Sequence, residues 1–261
     1  MSKQPWALIL GASSGFGEAT AIELARAGMN IFGVHLDRRD KLGHIVEIEQ
    51  KIHELGREAQ YFNFNAALDD KRKECMEQIK QRLAAQPGTV RVLMHSLAFG
   101  ALKPLAGAED VASRHQLELT ADVMGHSLVY WVQECLWAGL LDKGARIFAM
   151  TSAGGTRAIP QYGPVSAAKA IIEAHIRQLA LELAPAGITA NAILAGVTDT
   201  PALRLIPGYE KLMAIARQRN PSGRLTQPED VARSIAALCH PATYWLTGNT
   251  LHVDGGENIV G

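Results

Sequence analysis

Seven short apolar runs punctuate the chain: 6–10 (WALIL), 30–34 (NIFGV), 59–64 (AQYFNF), 90–95 (VRVLMH), 145–150 (ARIFAM), 188–194 (ITANAIL) and 249–253 (NTLHV). They are nearly continuous rather than alternating, as expected of strands covered on both faces. Between them, helical patterns run over 16–28, 41–55, 69–85, 109–139, 164–184 and 228–239. Strand alternating with helix predicts an α/β fold, a doubly wound parallel sheet of about seven strands with helices on both faces. One stretch departs from the alternation. Residues 200–223 read as helical but carry Pro201, Pro207 and Pro221, which predicts an inserted helical lid of the kind that gates a ligand site. No repeat, low-complexity tract or linker divides the sequence, so 1–261 reads as one domain bearing that lid.

Composition narrows the function more than the fold. Of 261 residues, 48% are hydrophobic and 20% charged, and Lys+Arg equals Asp+Glu at 26 each. A neutral chain offers no global attraction to nucleic acid or to an anionic membrane. No run approaches the roughly 20 apolar residues of a membrane helix, and the first residues lack the pattern of a secretory signal. Three scattered cysteines, Cys75, Cys135 and Cys239, suit reduced thiols and a cytoplasmic location. The nine histidines form no ligand-spaced cluster, so no metal site is expected.

Directly after the first apolar run comes GASSGFGEAT. Gly11, Gly15 and Gly17 give G-x-x-x-G-x-G opening a helix, with Ser13, Ser14 and Phe16 between them. Glycine permits the tight turn and lets backbone approach a pyrophosphate, whose charge then faces the helix N-terminus. In a strand–loop–helix context this pattern predicts dinucleotide binding. The residue closing the second strand distinguishes the two nicotinamide dinucleotides, since an acid there binds a free ribose hydroxyl and repels a 2′-phosphate. Here His35 takes that position, followed by Arg38 and Arg39. Two guanidiniums favour a 2′-phosphate and hence NADPH. Asp37 keeps NADH open as the weaker alternative.

The segment AIPQYGPVSAAKA places Tyr162 seven positions before Lys169. Pro164 belongs in a first helical turn, so a helix is expected to begin near Gly163. Tyr162 then lies just outside it and Lys169 on its second turn.

Together with the glycine loop, ITANAILAG and HVDGG (252–256), these features resemble the short-chain dehydrogenase/reductases, whose fold is the Rossmann-type sheet, over essentially the whole chain. Ordinary members follow S-x12-Y-x3-K. With Lys169 in that frame the serine is Ser152, but the tyrosine slot holds Val165. The resulting Y-x6-K, with MHSLAFG (94–100), Asp122, RAIPQY and NPSGR (220–224), resembles the enoyl-acyl-carrier-protein reductases. Two departures, the ordinary glycine loop and Ser152 where many enoyl reductases carry a tyrosine, resemble an NADPH-using bacterial subgroup.

The displacement has a physical rationale. A keto reductase delivers hydride to the carbon bearing the oxygen, whereas an enoyl reductase delivers it to C3 of a 2-enoyl thioester and charge appears on the distant C1 oxygen. A hydrogen-bond donor for that oxygen must therefore shift relative to the nicotinamide. The resemblance implies Tyr162, Lys169 and Ser152 as catalytic residues, Tyr162 toward the developing enolate and Lys169 on the nicotinamide ribose. It also implies Asn65 and Ala66 beside adenine, Ser96 and Ala98 along the cofactor, and Thr198 and Thr200 at the pyrophosphate. The implied substrate is an acyl-carrier-protein or coenzyme A 2-enoyl thioester, and the implied assembly a homotetramer. Two other readings stay open at this stage: a carbonyl reductase of 3-oxoacyl thioesters, and a non-catalytic NADP-binding regulator. The lid, with Arg204, Lys211, Arg217 and Arg219 against Glu210 over 201–220, suits an acidic carrier protein.

Overall fold

The computed structural model describes residues 3–260. Seven parallel strands build one sheet: β1 Gln4–Leu10, β2 Asn30–His35, β3 Ala59–Asn63, β4 Gly88–His95, β5 Arg146–Thr151, β6 Thr189–Ala195 and β7 Thr250–Val253. Their order across the sheet is β3-β2-β1-β4-β5-β6-β7. Every strand anticipated from the apolar runs is present, with ends displaced by up to two residues.

Eight α-helices accompany the strands: α1 Gly15–Arg26, α2 Leu42–Glu54, α3 Asp69–Ala85, α4 Arg114–Ala121, α5 Ser127–Trp137, α6 Gly163–Leu183, α7 Tyr209–Arg219 and α8 Pro228–Leu238. Because successive strand residues point to opposite faces, β1 feeds two cores. Leu8 and Leu10 join Ile79 of α3, Trp131 of α5 and Ile172 of α6. Ala7 and Ile9 join Leu24 of α1, Ile48 of α2 and Ile235 of α8. Covering both faces is what makes these strands apolar throughout. On one side β1 pairs β2 and on the other β4, so the connections leaving β1 and β4 part in opposite directions. The crevice at that switch point is where such sheets bind ligands.

Two elements differ from the sequence expectation. The pattern read as one helix over 109–139 begins only at Arg114, because Ser113 caps it. Ser113 Oγ accepts from the Gln116 N–H at 3.2 Å, and the Gln116 side chain accepts from the Ser113 N–H at 3.0 Å. That reciprocal box ends the extended segment before it. The helix is then interrupted by a π-turn at Asp122–His126 before α5 starts, an extra residue that hydrophobic spacing does not reveal. The lid is likewise two pieces, a 3₁₀ turn Leu203–Leu205 and then α7, hinged at Gly208 with φ +77°.

Candidate active site

The glycine loop is built by backbone contact. The Gly11 and Ala12 N–H groups both donate to Val34 O at the end of β2, at 2.8 and 3.1 Å. A Cβ on Gly11, at φ +86°, would lie 2.4 Å from Ser96 O, and one on Gly17 would lie 1.9 Å from Gly11 O. No side chain can occupy either position without moving main chain. Gly15 has φ +54° and opens α1. Ser13 and Phe16 are half-buried and Ser14 is exposed. Ser14 precedes α1 in extended conformation without capping it through its side chain, so its hydroxyl is free for a ligand.

At the end of β2 the structure separates four residues that lie together in sequence. His35 is buried at 4% exposure, and its Nδ1 lies 3.0 Å from Asp37 Oδ2. Asp37 is further fastened by its N–H to Asn63 Oδ1 and by Asn63 Nδ2 to its carbonyl. Arg38 and Arg39 are exposed, and neither forms an ion pair among the described residues. So His35 is an internal partner of Asp37, and the free guanidiniums face outward.

The other cofactor candidates follow the carboxyl ends of β3, β4 and β6. Asn65 Oδ1 accepts from the Ala67 N–H, closing a turn after β3, while buried Ala66 offers its carbonyl to Trp131 Nε1 at 2.9 Å. Ser96 follows β4, with its N–H on Leu10 O at 2.8 Å, and Ala98 is exposed beyond it. After β6, Thr198 Oγ1 donates to Gly196 O, and Thr200 Oγ1 accepts from the Leu203 N–H. The Thr200 methyl lies 3.2 Å from where a Gly15 Cβ would stand, which brings the two halves of the crevice together.

Tyr162 stands at the entrance to α6, with Pro164 in the first turn, as the sequence spacing predicts. Its neighbour Gln161 has φ +61°, an unusual left-handed conformation for a residue other than glycine. The Tyr162 ring lies against the turn after β5, where a Cβ on Gly154 would be 2.5 Å from Cε1. Its hydroxyl is 3.4 Å from Ser152 Oγ. Around the ring gather Met124, Val165 and Ala168, with Leu102, Ile159 and Ile206 packed on them. Val165, in the ordinary tyrosine slot, is thus a buried apolar wall. Burial raises the Tyr162 phenol above its usual range, partly offset by Ser152.

Lys169 is buried at 6% exposure and its Nζ donates to Met150 O at 2.7 Å. Burial pulls its pKa down to about 8, with the charge of Glu173 working against the fall. An ammonium with one carbonyl partner has two donors left over.

The sequence profile of the family described as enoyl-(acyl carrier protein) reductase matches residues 11–258. The chain belongs to that family. It is an NAD(P)H-dependent oxidoreductase acting on enoyl thioesters. It is 29% identical over 249 residues to the NADPH-dependent enoyl-[acyl-carrier-protein] reductase of Staphylococcus aureus, covering 95% of this chain and 93% of that one. It is 30% identical over 259 residues to the 1-cyclohexenylcarbonyl-CoA reductase of Streptomyces collinus, covering 97% and 86%. The crystal structure of the Bacillus cereus enoyl-acyl carrier protein reductase with NADP+ and indole naphthyridinone superposes with a TM-score of 0.87 at 25% identity, over 99% of this chain and 97% of that one.

In this enoyl reductase several further residues support the site; Glu173 and Thr120 carry no sequence motif, whereas Asp122 and His95 stand in the segments on which the family resemblance rests. Glu173, one turn beyond Lys169, accepts from Thr151 Oγ1 at 2.6 Å. Thr120 Oγ1 accepts from the Ala101 N–H and so fixes the loop after β4. Asp122, in the π-turn, accepts from Tyr130 Oη at 2.9 Å, and the guanidinium of Arg72 covers that tyrosine ring at 5.1 Å. His95 closes β4 fully buried, with Nε2 2.8 Å from Ser127 Oγ. Burial, helped by the charge of Lys169, holds its pKa down to about 3, so it is neutral. It is the histidine of the MHSLAFG segment, at a strand end beside Ser96.

One of the lid charges is offset by a neighbour outside the lid segment. Arg204 is held by Asp199 through two hydrogen bonds of 2.8 and 2.9 Å, and Arg219 donates to Val260 O. Lys211 and Arg217 keep no ion pair among the described residues, and Arg217 lines a 440 Å³ cavity with Arg204, Tyr209 and Met213. The three cysteines are buried and unbridged. Burial pushes the thiols of Cys75 and Cys239 up to about 12, so they are unreactive at neutral pH. No described helix is long and apolar enough to cross a membrane.

Proposed function

We propose that this reductase uses NADPH to reduce the carbon–carbon double bond of 2-enoyl thioesters, with Tyr162, Lys169 and Ser152 at the reacting end. The bound dinucleotide supplies the hydride, delivered to C3. The observation that carries the reading is the arrangement at α6. Tyr162 sits outside the helix beside Ser152, and the slot three residues on is an apolar wall at Val165.

Each residue's task follows from where it stands. The Tyr162 hydroxyl donates a hydrogen bond to the thioester oxygen as charge develops there, in a pocket whose low polarity strengthens that bond. Ser152 holds the phenol and orients it. Lys169 uses its spare donors on the ribose and, as a buried cation, favours proton release from the phenol. Leu102, Ile159 and Ile206 keep water from the enolate and contact the acyl chain.

The residues present suit a dinucleotide, because glycine at 11 and 17 lets the loop fold tightly on its own main chain and on Ser96, leaving the opening of α1 free of side-chain bulk for a pyrophosphate. Gly11, Ser13, Ser14, Gly15, Phe16, Gly17, Thr198 and Thr200 would hold the pyrophosphate. Asn65 and Ala66 would flank adenine, and Ser96, Ala98 and Lys169 would line the nicotinamide ribose. NADPH is favoured over NADH because the Asp37 carboxylate is engaged by His35, with the Asp37 main chain held by Asn63, while Arg38 and Arg39 are free for a 2′-phosphate. His35 acts by holding Asp37. Residues around 200–223 form the substrate lid of a single catalytic domain, and the carrier is acyl-carrier protein or coenzyme A. The enzyme works in the cytoplasm as a homotetramer.

Oxidation of NADPH measured with a 2-enoyl thioester and with a 3-oxoacyl thioester tests the reading. Turnover of the alkene alone is expected. Faster reduction of the ketone would make this a carbonyl reductase, and binding without turnover of either would make it a regulator.

A further inference from the structure

After β7 the chain turns back across the loops that surround the site. Asp254, 5% exposed, organises the turn. Its Oδ1 accepts from the Gly256 N–H at 3.0 Å, and its Oδ2 accepts from Asn258 N–H and Nδ2 at 3.1 and 2.7 Å. Its carbonyl accepts from Asn220 Nδ2, just beyond the lid helix, at 2.9 Å. The turn delivers Glu257 to the exit of β6, where Oε2 accepts the Val197 N–H at 2.9 Å. Gly196 is what lets the carboxylate so close. A Cβ there would stand 2.8 Å from Glu257 Oε2 and 2.3 Å from Thr226 Oγ1.

Two arginines tie other loops to the same segment. Arg157, between Ser152 and Tyr162, donates to Asn258 O at 2.9 Å, and Arg219, at the end of α7, donates to Val260 O at 2.5 Å. Three parts of the site that are distant in sequence therefore converge on one short stretch: the loop before Tyr162, the loop bearing Thr198 and Thr200, and the base of the lid. Glu257 is the one side chain of that stretch whose own bond reaches the Val197–Thr200 loop.

We propose that residues 254–260 are a clasp across the loops that follow β5 and β6 and the base of the lid, and that Glu257 is its positioning residue, holding Val197 and through it Thr198 and Thr200. Glu257 is half-buried. Burial raises its carboxyl pKa, the Val197 N–H opposes that, Asp254 adds to it, and Arg219 and Arg157 oppose it. The carboxylate is thus confined between one anion and two cations and has a single backbone N–H to satisfy. Losing an acceptor from a backbone donor in such a place frees the loop it was holding.

The effect on cofactor affinity rests on the reading of Thr198 and Thr200 as dinucleotide contacts, whereas the effect on the loop does not. Amide hydrogen exchange of the cofactor-free enzyme is therefore measured beside NADPH affinity. In Glu257→Ala, exchange over 197–205 and in α7 should rise by about tenfold, the order expected for one lost charged hydrogen bond, with β1 and β4 unchanged. NADPH Kd should rise by a similar factor. Glu257→Gln, whose amide oxygen still accepts the Val197 N–H, should stay close to wild type in both. Unchanged exchange at 197–205, acceleration spread evenly into β1 and β4, or a glutamine variant as fast as alanine would each overturn the clasp. Wild-type enzyme that binds no NADPH would instead refute the cofactor reading, and the exchange pattern would still decide the clasp.

Discussion

The two rims of the crevice are constructed on different principles. At the glycine loop after β1, position is set by main chain against main chain: Gly11 and Ala12 on Val34 O, and Gly17 over Gly11 O. On the side beyond β4, β5 and β6, position is set by side chains reaching to distant backbone, as with Thr120 on Ala101, Ser166 on Gly154 and Arg157 on Asn258. The first kind of rim accepts almost any side chain pointing away but no Cβ pointing in. The second can be adjusted one residue at a time. A constant ligand suits the first, and an acyl chain that varies in length and branching suits the second.

The largest expected effect lies on the adjustable rim but at its reacting atom. Tyr162→Phe removes a donor needed only as charge develops, so kcat should fall by about 10²–10³ while KM changes little. Steady-state kinetics on a 2-enoyl thioester checks this. Adding Val165→Tyr to that variant should not restore alkene reduction, because the hydroxyl would return to the keto-reductase position.

On the backbone rim, Gly17→Ala must displace Gly11 O, and overpacking of this kind costs about 1–3 kcal/mol. NADPH affinity should drop by up to ~100-fold in a fluorescence titration, with a lower Tm. An equal loss from Ser14→Ala would contradict the distinction between the rims.

Lys169 links the two and gives a pH signature. With its folded pKa lowered to about 8 from an ordinary 10.5, it loses its proton above about pH 8 in the folded enzyme, while the unfolded chain keeps it until about 10.5. The unfolded state then binds more protons, so this group makes stability rise with pH across that window. kcat/KM, which reports the free enzyme, should fall by about tenfold per unit over the same range. Activity and Tm are therefore expected to move in opposite directions above pH 8.

Arg38→Ala with Arg39→Ala should raise the Kd for NADPH by about tenfold or more and leave NADH nearly unchanged, since only NADPH loses a charged partner. Isothermal titration with both dinucleotides would show it. Equal losses would return the ribose-binding role to Asp37. The smallest effect belongs to the lid. Reversing Lys211 and Arg217 to Glu should raise KM for a carrier-protein substrate by roughly fivefold at low salt, as for exposed charges, and leave the coenzyme A thioester unaffected.

The two rims were also unequally legible. The glycine loop and the strand before it announce themselves because glycine spacing records a backbone constraint directly. The Tyr162–Lys169 offset was readable for a similar reason, since Pro164 marks where a helix can begin. His35 was placed correctly at the end of β2, but its burial against Asp37 depends on Asn63 and Tyr61 of a neighbouring strand. The sequence of the lid overstates its charge because Asp199, which pairs with Arg204, lies just before residue 201. Glu257 gave no signal at all, being sixty residues from the N–H it accepts. Contacts of that kind follow from the assembled sheet, and no local pattern encodes them.

The π-turn at Asp122–His126 makes the α4–α5 rod a counting device. It takes up one residue more than an α-helix would over the same rise. Deleting a single residue there, such as Met124, would allow an unbroken α-helix of good local geometry. The deletion would also turn everything before it by about 100° relative to everything after it. Thr120 would swing from Ala101 and Asp122 from Tyr130, while Ser127 kept its place beside His95. A sequence one residue shorter would thus gain a better helix and lose the register between its two ends.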